Sequence, residues 1–557
     1  MTIKEEQLYA PILELFGKDY FAAFDVQLGP KRIDIVLASK TTDKIVAIEV
    51  KVNKWRQAMR QALNYQLAAD ESYVAIPEKN VNPIDLEEFD KLGIGLIAVN
   101  SEGKAAIRIS AKPSLRKQNN YSILLRAYVA EKQTMPNSNP GNISSTSQSF
   151  QNYLWYIANE RSYYNQYRDT YDGFLVNAHV LEHFSSAFSA LYLSLRKPFF
   201  IIPDTHFFQL APITIFFDTK GGIKSSWEKL AENYGPLIKL VLSQGRNLEI
   251  SDFISKTGGY QQSLYDLVEN VISFQKNKVP FATQGLARFF DVQPDANPTY
   301  LVAPYFFFTS IQDPWYKISL EMAREATKHK ETCQVFALLC TSKSVLMSDK
   351  ALSTIISDFS TIGLDGFLLW IQDFSEIDEP DPLLLSFRKF VSNLKKNKWN
   401  VINLYGEFFS SLMCYYGLDG VGYGICYKES ADPMVFPTGG PAGGPLPRYY
   451  LRDVKAKLGK IEAAIALSEI PSLKCSCKVC DTQTEYILDA ATPDAVSKDL
   501  MKKHFLICKG DERDYICKCS LASVLGELKA KYKKYQKKAH LIPIEHLRKW
   551  IDVCKEP

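Results

Sequence analysis

Two periodicities run along the chain and divide it. RIDIVLA (32–38) and KIVAIEVKV (44–52) alternate apolar and polar positions as half-buried strands do. A stretch with helical spacing, WRQAMRQALNYQ, follows them, then SYVAIP as a further strand, and the N-terminal EEQLYAPILELF has helical periodicity. From about 195 to 430, short apolar runs alternate with longer amphipathic segments: PFFIIPD (198–204), TYLVAPYFFF (299–308), CQVFALLC (333–340), GLDGFLLWI (363–371), WNVINLYG (399–406) and DGVGYGIC (419–426). Repeated strand–helix units of this spacing predict a parallel sheet, and their number predicts a closed (β/α)8-type barrel. Ile213–Phe217 reads as another short strand, and residues 225–285 as a helical insertion with the loop KTGGYQQ inside it.

Polar Gln133–Ser149 (QTMPNSNPGNISSTSQS) cannot bury enough apolar surface to offset its chain entropy, so it reads as a flexible linker. The Gly/Pro-rich PTGGPAGGPLPR (437–448) leads into a helical, cysteine-rich tail. The expected organisation is an α/β domain over 1–130, a linker over 131–150, a barrel over 151–450 and a helical C-terminal region over 451–557.

At 557 residues the chain exceeds one ordinary core. Its 46% hydrophobic and 23% charged residues are those of a globular protein, and no apolar run could span a bilayer, so no membrane partner is expected. The opening MTIKEEQLYAPILELF lacks a signal-peptide pattern, which makes the cytoplasm the expected compartment. Net charge is only +4, but Lys529–Ala539 (KAKYKKYQKKA) holds six lysines, either a solvated helix face or a phosphate-contacting one. Of eleven cysteines, seven follow residue 470, where metal ligands are to be sought.

The richest chemistry lies in residues 31–66. Period two sets Glu49 and Lys51 on one face of their strand, and antiparallel pairing would bring Asp34 beside Glu49. Two such carboxylates suit a hard divalent cation, and the ammonium can orient water and offset charge on a phosphate. Asp-x(14)-Glu-x-Lys in this setting resembles the PD-(D/E)xK nuclease superfamily over most of residues 1–110, although Pro30 stands four residues before Asp34 instead of adjoining it. The resemblance implies a restriction-endonuclease-like α/β/α fold, Mg²⁺ or Mn²⁺ held by Asp34 and Glu49, and catalysis by Asp34, Glu49 and Lys51. It adds a metal-shell acid from the N-terminal helix (Glu5 or Glu6) and a Q-x-x-x-Y element at Gln61 and Tyr65.

Cys475, Cys477 and Cys480 form C-x-C-x-x-C, followed by His504, a spacing suited to a closed tetrahedral Zn²⁺ site. Cys508, four residues after His504, could take its place, and Cys517 and Cys519 form a second C-x-C. The spacing resembles the zinc element of tRNA-guanine transglycosylases, which implies a barrel pocket with Asp204, Phe208 and Gln209 where that family has D-S-G-G-F-Q. Late in the barrel Asp419 matches the first Asp of the family's G-x-D-x-x-D-C, but Gly422 stands at the nucleophile's position. Tyr305 and Phe306 are expected near the barrel mouth, as core or as stacking surface, and Arg448 in its loop is a candidate nucleic-acid contact.

Together these features predict a metal-dependent nuclease whose transglycosylase-like barrel recognises nucleic acid, DNA or tRNA, or a modified base, a combination suited to defence against foreign DNA. The alternative is a base-exchanging tRNA/DNA-guanine transglycosylase-type enzyme with an accessory nucleic-acid-binding N-terminal domain. A homodimer is compatible with either.

Overall fold

The structure is a computed structural model describing all residues except 1–4, 18, 29–30, 43, 83, 116–149, 291–297, 331–332, 428, 437–446, 482–486, 490–491, 493 and 556–557. The chain forms two compact units, Met1–Ser145 and Thr146–Pro557. The linker expected over 131–150 lies, but for Phe150, outside the described residues, as does most of the loop 437–448.

In the first unit, six strands run in spatial order β1 (Tyr20–Leu28), β2 (Lys31–Ser39), β3 (Ile45–Val50), β4 (Glu71–Pro77), β5 (Gly95–Val99) and β6 (Ala105–Ile109). β3, β4 and β5 are parallel and the outer pairings antiparallel, a mixed sheet. Helix α1 (Tyr9–Phe16) places Ile12 against Ile35, Val46 and Ile48 on one face. Helix α2 (Trp55–Tyr65) buries Ala58, Met59, Ala62 and Tyr65, spaced as one helical stripe, against Ala47 and Val74 on the other. α3 (Leu86–Leu92) joins that layer through Phe89. Asp85 accepts the Glu87 and Glu88 N–H groups at its start, and Gly93, at φ 68°, ends it.

In the second unit, parallel strands run in the order β10 (Tyr300–Val302), β12 (Gln334–Thr341), β13 (Gly366–Ile371), β14 (Asn400–Asn403), β15 (Gly420–Tyr423), β7 (Gln151–Trp155), β8 (Gly173–Asn177) and β9 (Phe199–Ile202), with β11 (Phe307–Phe308) beside β12. The strands are buried on both sides, as expected when helices cover a parallel sheet. Inward side chains from seven of the eight, among them Tyr153, Leu175, Phe200, Val302, Leu338, Leu368 and Ile402, form one buried cluster with Leu404, to which β15 adds no side chain. β9 and β10, at the ends of the path, approach each other, with Phe200 stacked on Tyr300 at 4.2 Å between ring centroids. The fold is thus α/β, with a mixed sheet in the first unit and a curved, barrel-type parallel sheet in the second.

Several elements differ from the sequence pattern. Residues 299–308 make two short strands instead of one, because the backbone leaves the ladder between Ala303 and Phe306 around Pro304. Ile213–Ile215 forms a 3-10 turn after Pro212, not a strand. The sheet also begins earlier than residue 195, with β7 and β8. The insertion is helical as expected, with helices Ser225–Tyr234, Pro236–Ser243 and Gln262–Phe290. Among the described residues no helix is long and apolar enough to cross a membrane.

Candidate active site and metal centre

The β2–β3 register pairs Ile35 with Ile48, which sets Asp34 and Glu49 one step further along. Asp34 Oδ2 accepts the Val50 N–H at 2.8 Å, fixing the carboxylate against β3. Lys51 Nζ lies 3.4 Å from Asp34 Oδ2, 3.0 Å from Glu49 Oε1 and 3.3 Å from Glu5 Oε2, and donates to the Val50 carbonyl at 2.9 Å. Three carboxylates thus converge on one ammonium. Glu5 is the N-terminal acid that arrives there. The side chain of Glu6, the other acid expected there, lies outside the described residues.

Glu49 is 1% exposed, and Tyr65 donates a short hydrogen bond to its Oε2. Burial and the charge of Asp34 push the Glu49 carboxyl up to about 7, opposed by Tyr65 and Lys51. For Lys51 burial works against the charge, but Asp34, Glu49 and Glu5 outweigh it and hold the ammonium above its ordinary range. Burial, then Glu49, raises Tyr65 far above the usual phenol. Gln61, one turn before Tyr65 on α2, also hydrogen-bonds the Tyr65 hydroxyl.

A second cluster joins Cys475, Cys477, Cys480 and His504, all buried, with ligand atoms within 4.8 Å of one another. His504 Nε2 donates to the Tyr450 carbonyl at 2.7 Å, which fixes the tautomer and leaves Nδ1 facing Cys477 Sγ at 3.4 Å and Cys480 Sγ at 3.3 Å. Tyr449 stacks on the imidazole at 4.6 Å and its hydroxyl lies 3.2 Å from Cys480 Sγ. The set can hold a structural metal such as zinc. Cys508 Sγ sits 3.6 Å from the same Nδ1, beside the set, while Cys517 and Cys519 are outside it.

The barrel residues do not assemble as a base-exchange pocket. Asp204 follows β9, fully buried at φ 57°, and accepts from Asn177 Nδ2 at 2.6 Å and from the His179 backbone N–H at 3.0 Å. His179 Nδ1 lies 2.7 Å from the same carboxylate. Burial opposes the Asp204 charge, but His179 and Asn177 outweigh it and lower the carboxyl. Phe208 is buried in the large apolar core and stacked on Phe216. Gln209 clamps the backbone of Phe307, giving and accepting at 2.9 Å. Asp419 precedes β15, at the strand's amino end, bonded to Lys395 Nζ (2.6 Å) and the Val401 N–H (2.8 Å). Asp204 is at a carboxyl end, where barrel active sites are built, so the two aspartates stand at opposite ends of their strands. A Cβ on Gly422 would come within 2.3 Å of Leu175 Cδ1 and 2.6 Å of the Leu404 carbonyl, leaving no room for a nucleophile's side chain. Trp155 stacks on Tyr405 and His206 on Tyr305, while Trp370 meets Tyr405 at a tilt and His206 edge-on, and all five are buried. Phe306 packs on Trp315 as core, and Arg448 is exposed. His179, the partner of Asp204, has no motif in the sequence to announce it.

No protein-family model and no curated protein matches this chain. Among solved structures, a protein of unknown function from Silicibacter pomeroyi, SPO1766, is 16% identical over 23% of this chain and 86% of its own, with a TM-score of 0.20. Xylanase XynB from Paenibacillus barcinonensis is 9% identical over 50% of this chain and 85% of its own, with a TM-score of 0.30. An endo-1,4-beta-xylanase from Caldicellulosiruptor owensensis is 8% identical over 50% and 86%, with a TM-score of 0.28. Scores this low leave the functional reading to the geometry of the site.

Proposed function

We propose that the first unit is a metal-dependent nuclease of the PD-(D/E)xK superfamily and that the second unit, a transglycosylase-like barrel with a structural zinc site, directs it to nucleic acid. The observation that carries the reading is the meeting of Asp34, Glu49 and Glu5 on Lys51, with Tyr65 bonded to Glu49. A buried acid such as Glu49 is expensive unless used or paired, and here it shares one lysine with part-buried Asp34 and the more exposed Glu5. Asp34, Glu49 and the Val50 carbonyl would hold Mg²⁺ or Mn²⁺, with Glu5 as an outer acid. The cation, when bound, supplies positive charge against the phosphate oxygens and acidifies water. Tyr65 and Gln61 keep the Glu49 carboxylate aimed. Lys51 holds the attacking water and faces the charge that gathers on the phosphoryl oxygens as the water's oxygen bonds to phosphorus and the P–O ester bond breaks, the proton given up by the water ending on the departing oxygen.

The second unit serves as reader in this proposal, because Gly422 is walled in by Leu175 and Leu404 and Asp419 is at the wrong strand end for base exchange. Defence against foreign DNA is the role that such a pairing suits. The test is incubation of the full chain with Mg²⁺ or Mn²⁺ and plasmid, single-stranded DNA or tRNA. Asp34→Ala and Lys51→Ala should each abolish cleavage. Cleavage untouched by either substitution, or none on any substrate, would overturn the assignment.

A further inference from the structure

The described cations of the first unit fall into two groups, apart from Lys40, which lies in the turn between β2 and β3 over the Phe21 ring at 5.1 Å. Lys44, Lys91, Lys104, Arg108 and Lys112 each pair with an acid, and Lys51 with three. Lys54, Arg56, Arg60 and Lys79 are exposed and have no acidic partner among the described residues. These four are also gathered in one place. Lys54 and Arg56 follow the carboxyl end of β3, Lys79 follows that of the parallel neighbour β4, and Asn80 ties the two loops by donating to the Val52 carbonyl at 2.6 Å and to Asn53 Oδ1 at 3.0 Å. Arg60 lies four residues after Arg56 on α2, on the same side of the helix.

The helix end adds an independent sign. The amino end of a helix carries partial positive charge and is ordinarily matched with acids, as at α3, whose first turn has Glu87 and Glu88. At α2 the N-cap is Lys54, without a capping hydrogen bond, and the first turn has no acid but has Arg56, held over the Trp55 ring at 4.6 Å. Two cations at that end cost stability when no anion is there. Acids on nearby α3 do not relieve them: Asp85 caps its own helix and Glu87 pairs with Lys91.

We infer that Lys54, Arg56, Arg60 and Lys79 form a phosphate-contacting rim that lays the backbone of a nucleic acid across the Asp34–Glu49–Lys51 site. This rests on the nuclease reading of that site and adds the side from which the polyanion enters. The rim touches phosphates, so it makes binding salt-dependent without choosing a sequence.

The test is fluorescence anisotropy with a labelled 20-base-pair DNA duplex and, separately, a labelled tRNA, across a KCl series without added divalent metal. It uses the full chain carrying Lys51→Ala, to suppress cleavage. Each neutralised phosphate of a duplex contributes about 0.9 to the slope of log affinity against log salt, so Lys54→Gln, Arg56→Gln, Arg60→Gln and Lys79→Gln combined should lower it by roughly 3 to 4. Lys91→Gln, Lys104→Gln and Lys112→Gln combined should leave it nearly unchanged, and so should glutamines at Lys529, Lys533, Lys534 and Lys537. If the fourfold variant unfolds, Arg60→Gln alone, at an exposed helix position, should lower the slope by about 1. An unchanged slope, an equal loss in either control, or no binding by the parent chain would overturn the inference. Lys51-intact protein that fails to cleave while the rim variants lose slope would sink the nuclease reading and leave the rim standing. Cleavage with an indifferent rim would do the reverse.

Discussion

Tyr65→Phe tests the acid site at its most constrained point. Glu49 is almost wholly buried, and its carboxyl stands at about 7 because burial and Asp34 together outweigh the stabilising hydroxyl of Tyr65 and the ammonium of Lys51. Near pH 7 about half the molecules therefore carry a proton on this pair of acids. A divalent cation takes the ionised form, so its binding below pH 7 must expel that proton. Apparent affinity should climb about tenfold per pH unit up to pH 7 and level off above it. Removing the Tyr65 hydroxyl deletes a hydrogen bond to a charged group, worth about 1.5–3 kcal/mol. At about 1.4 kcal/mol per unit, Glu49 then titrates one to two units higher. Mg²⁺ or Mn²⁺ binding at pH 7, where the wild-type acid is already half protonated, should weaken roughly 5- to 50-fold and recover to within about twofold by pH 9. Isothermal titration calorimetry of the metal alone, at pH 6, 7, 8 and 9, reads this directly. Wild-type affinity flat between pH 6 and 8, or a Tyr65→Phe deficit that is the same at every pH, would refute the reasoning.

Two further outcomes follow from the second unit. Cys477→Ser removes a thiolate from the Cys475–Cys477–Cys480–His504 set and should abolish bound zinc by elemental analysis and lower the thermal midpoint. Wild-type protein purified without metal, and a variant equally stable, would exclude a structural metal there. Glu376, which accepts from Ser410 and from the Glu407 backbone, is pushed up to about 7 by burial despite those bonds. An acid raised in the folded state holds its proton there between about 4.5 and 7 while the unfolded chain has lost it, so stability falls as pH rises through that window. Glu376→Gln should flatten the fall and stabilise the protein at pH 8 by up to about 3 kcal/mol, the size of such a shift. Denaturant midpoints at pH 5 and pH 8 that move in parallel in the two proteins would contradict it.

What the sequence disclosed and what it hid have physical reasons. Asp34, Glu49 and Lys51 were legible because period two and antiparallel pairing are local rules, and the β2–β3 register obeys them. The same holds for Gln61 and Tyr65, one helical turn apart. Glu5 could not be told from Glu6, since the choice depends on the phase of a 3-10 turn, Glu5–Leu8, that no periodicity fixes. The cysteine triplet and His504 were legible by spacing, but the role of Cys508 was not, because Cys508 and His504 share one helix face. In the barrel, alternation of apolar runs gave the strands from β9 onward while β7 and β8, beside the polar linker, went unread. Asp419 turned on a single residue. β15 starts at Gly420, so the aspartate falls at its amino end, where it bonds the Val401 N–H of the adjacent strand instead of facing the mouth. His179 lies 25 residues before Asp204, and only the adjacency of β8 and β9 brings them together.

The two units handle most of their buried charge differently, and that contrast bears on where the chemistry lies. In the second unit several deep acids are matched by cations, although Glu376 is held only by Ser410 and the Glu407 backbone. Glu512 takes Lys455 at 2.9 Å and Lys509 at 3.2 Å, with Tyr450 as a further donor, and Glu160 takes Lys502 at 2.8 Å and Tyr427. Asp204 is satisfied by Asn177 and His179. Matched charges of this kind join the C-terminal helices to the sheet and fix a register, which is architecture. In the first unit three acids share one lysine, so negative charge is left over at the centre, while four exposed cations without acidic partners among the described residues stand on helix α2 and on the loops that follow β3 and β4. A folded chain gains nothing from keeping both unneutralised at such short range, because a change of side chain would pair them. A cation at the centre and a polyanion along the rim would satisfy both at once, and the reacting phosphate would then lie between them.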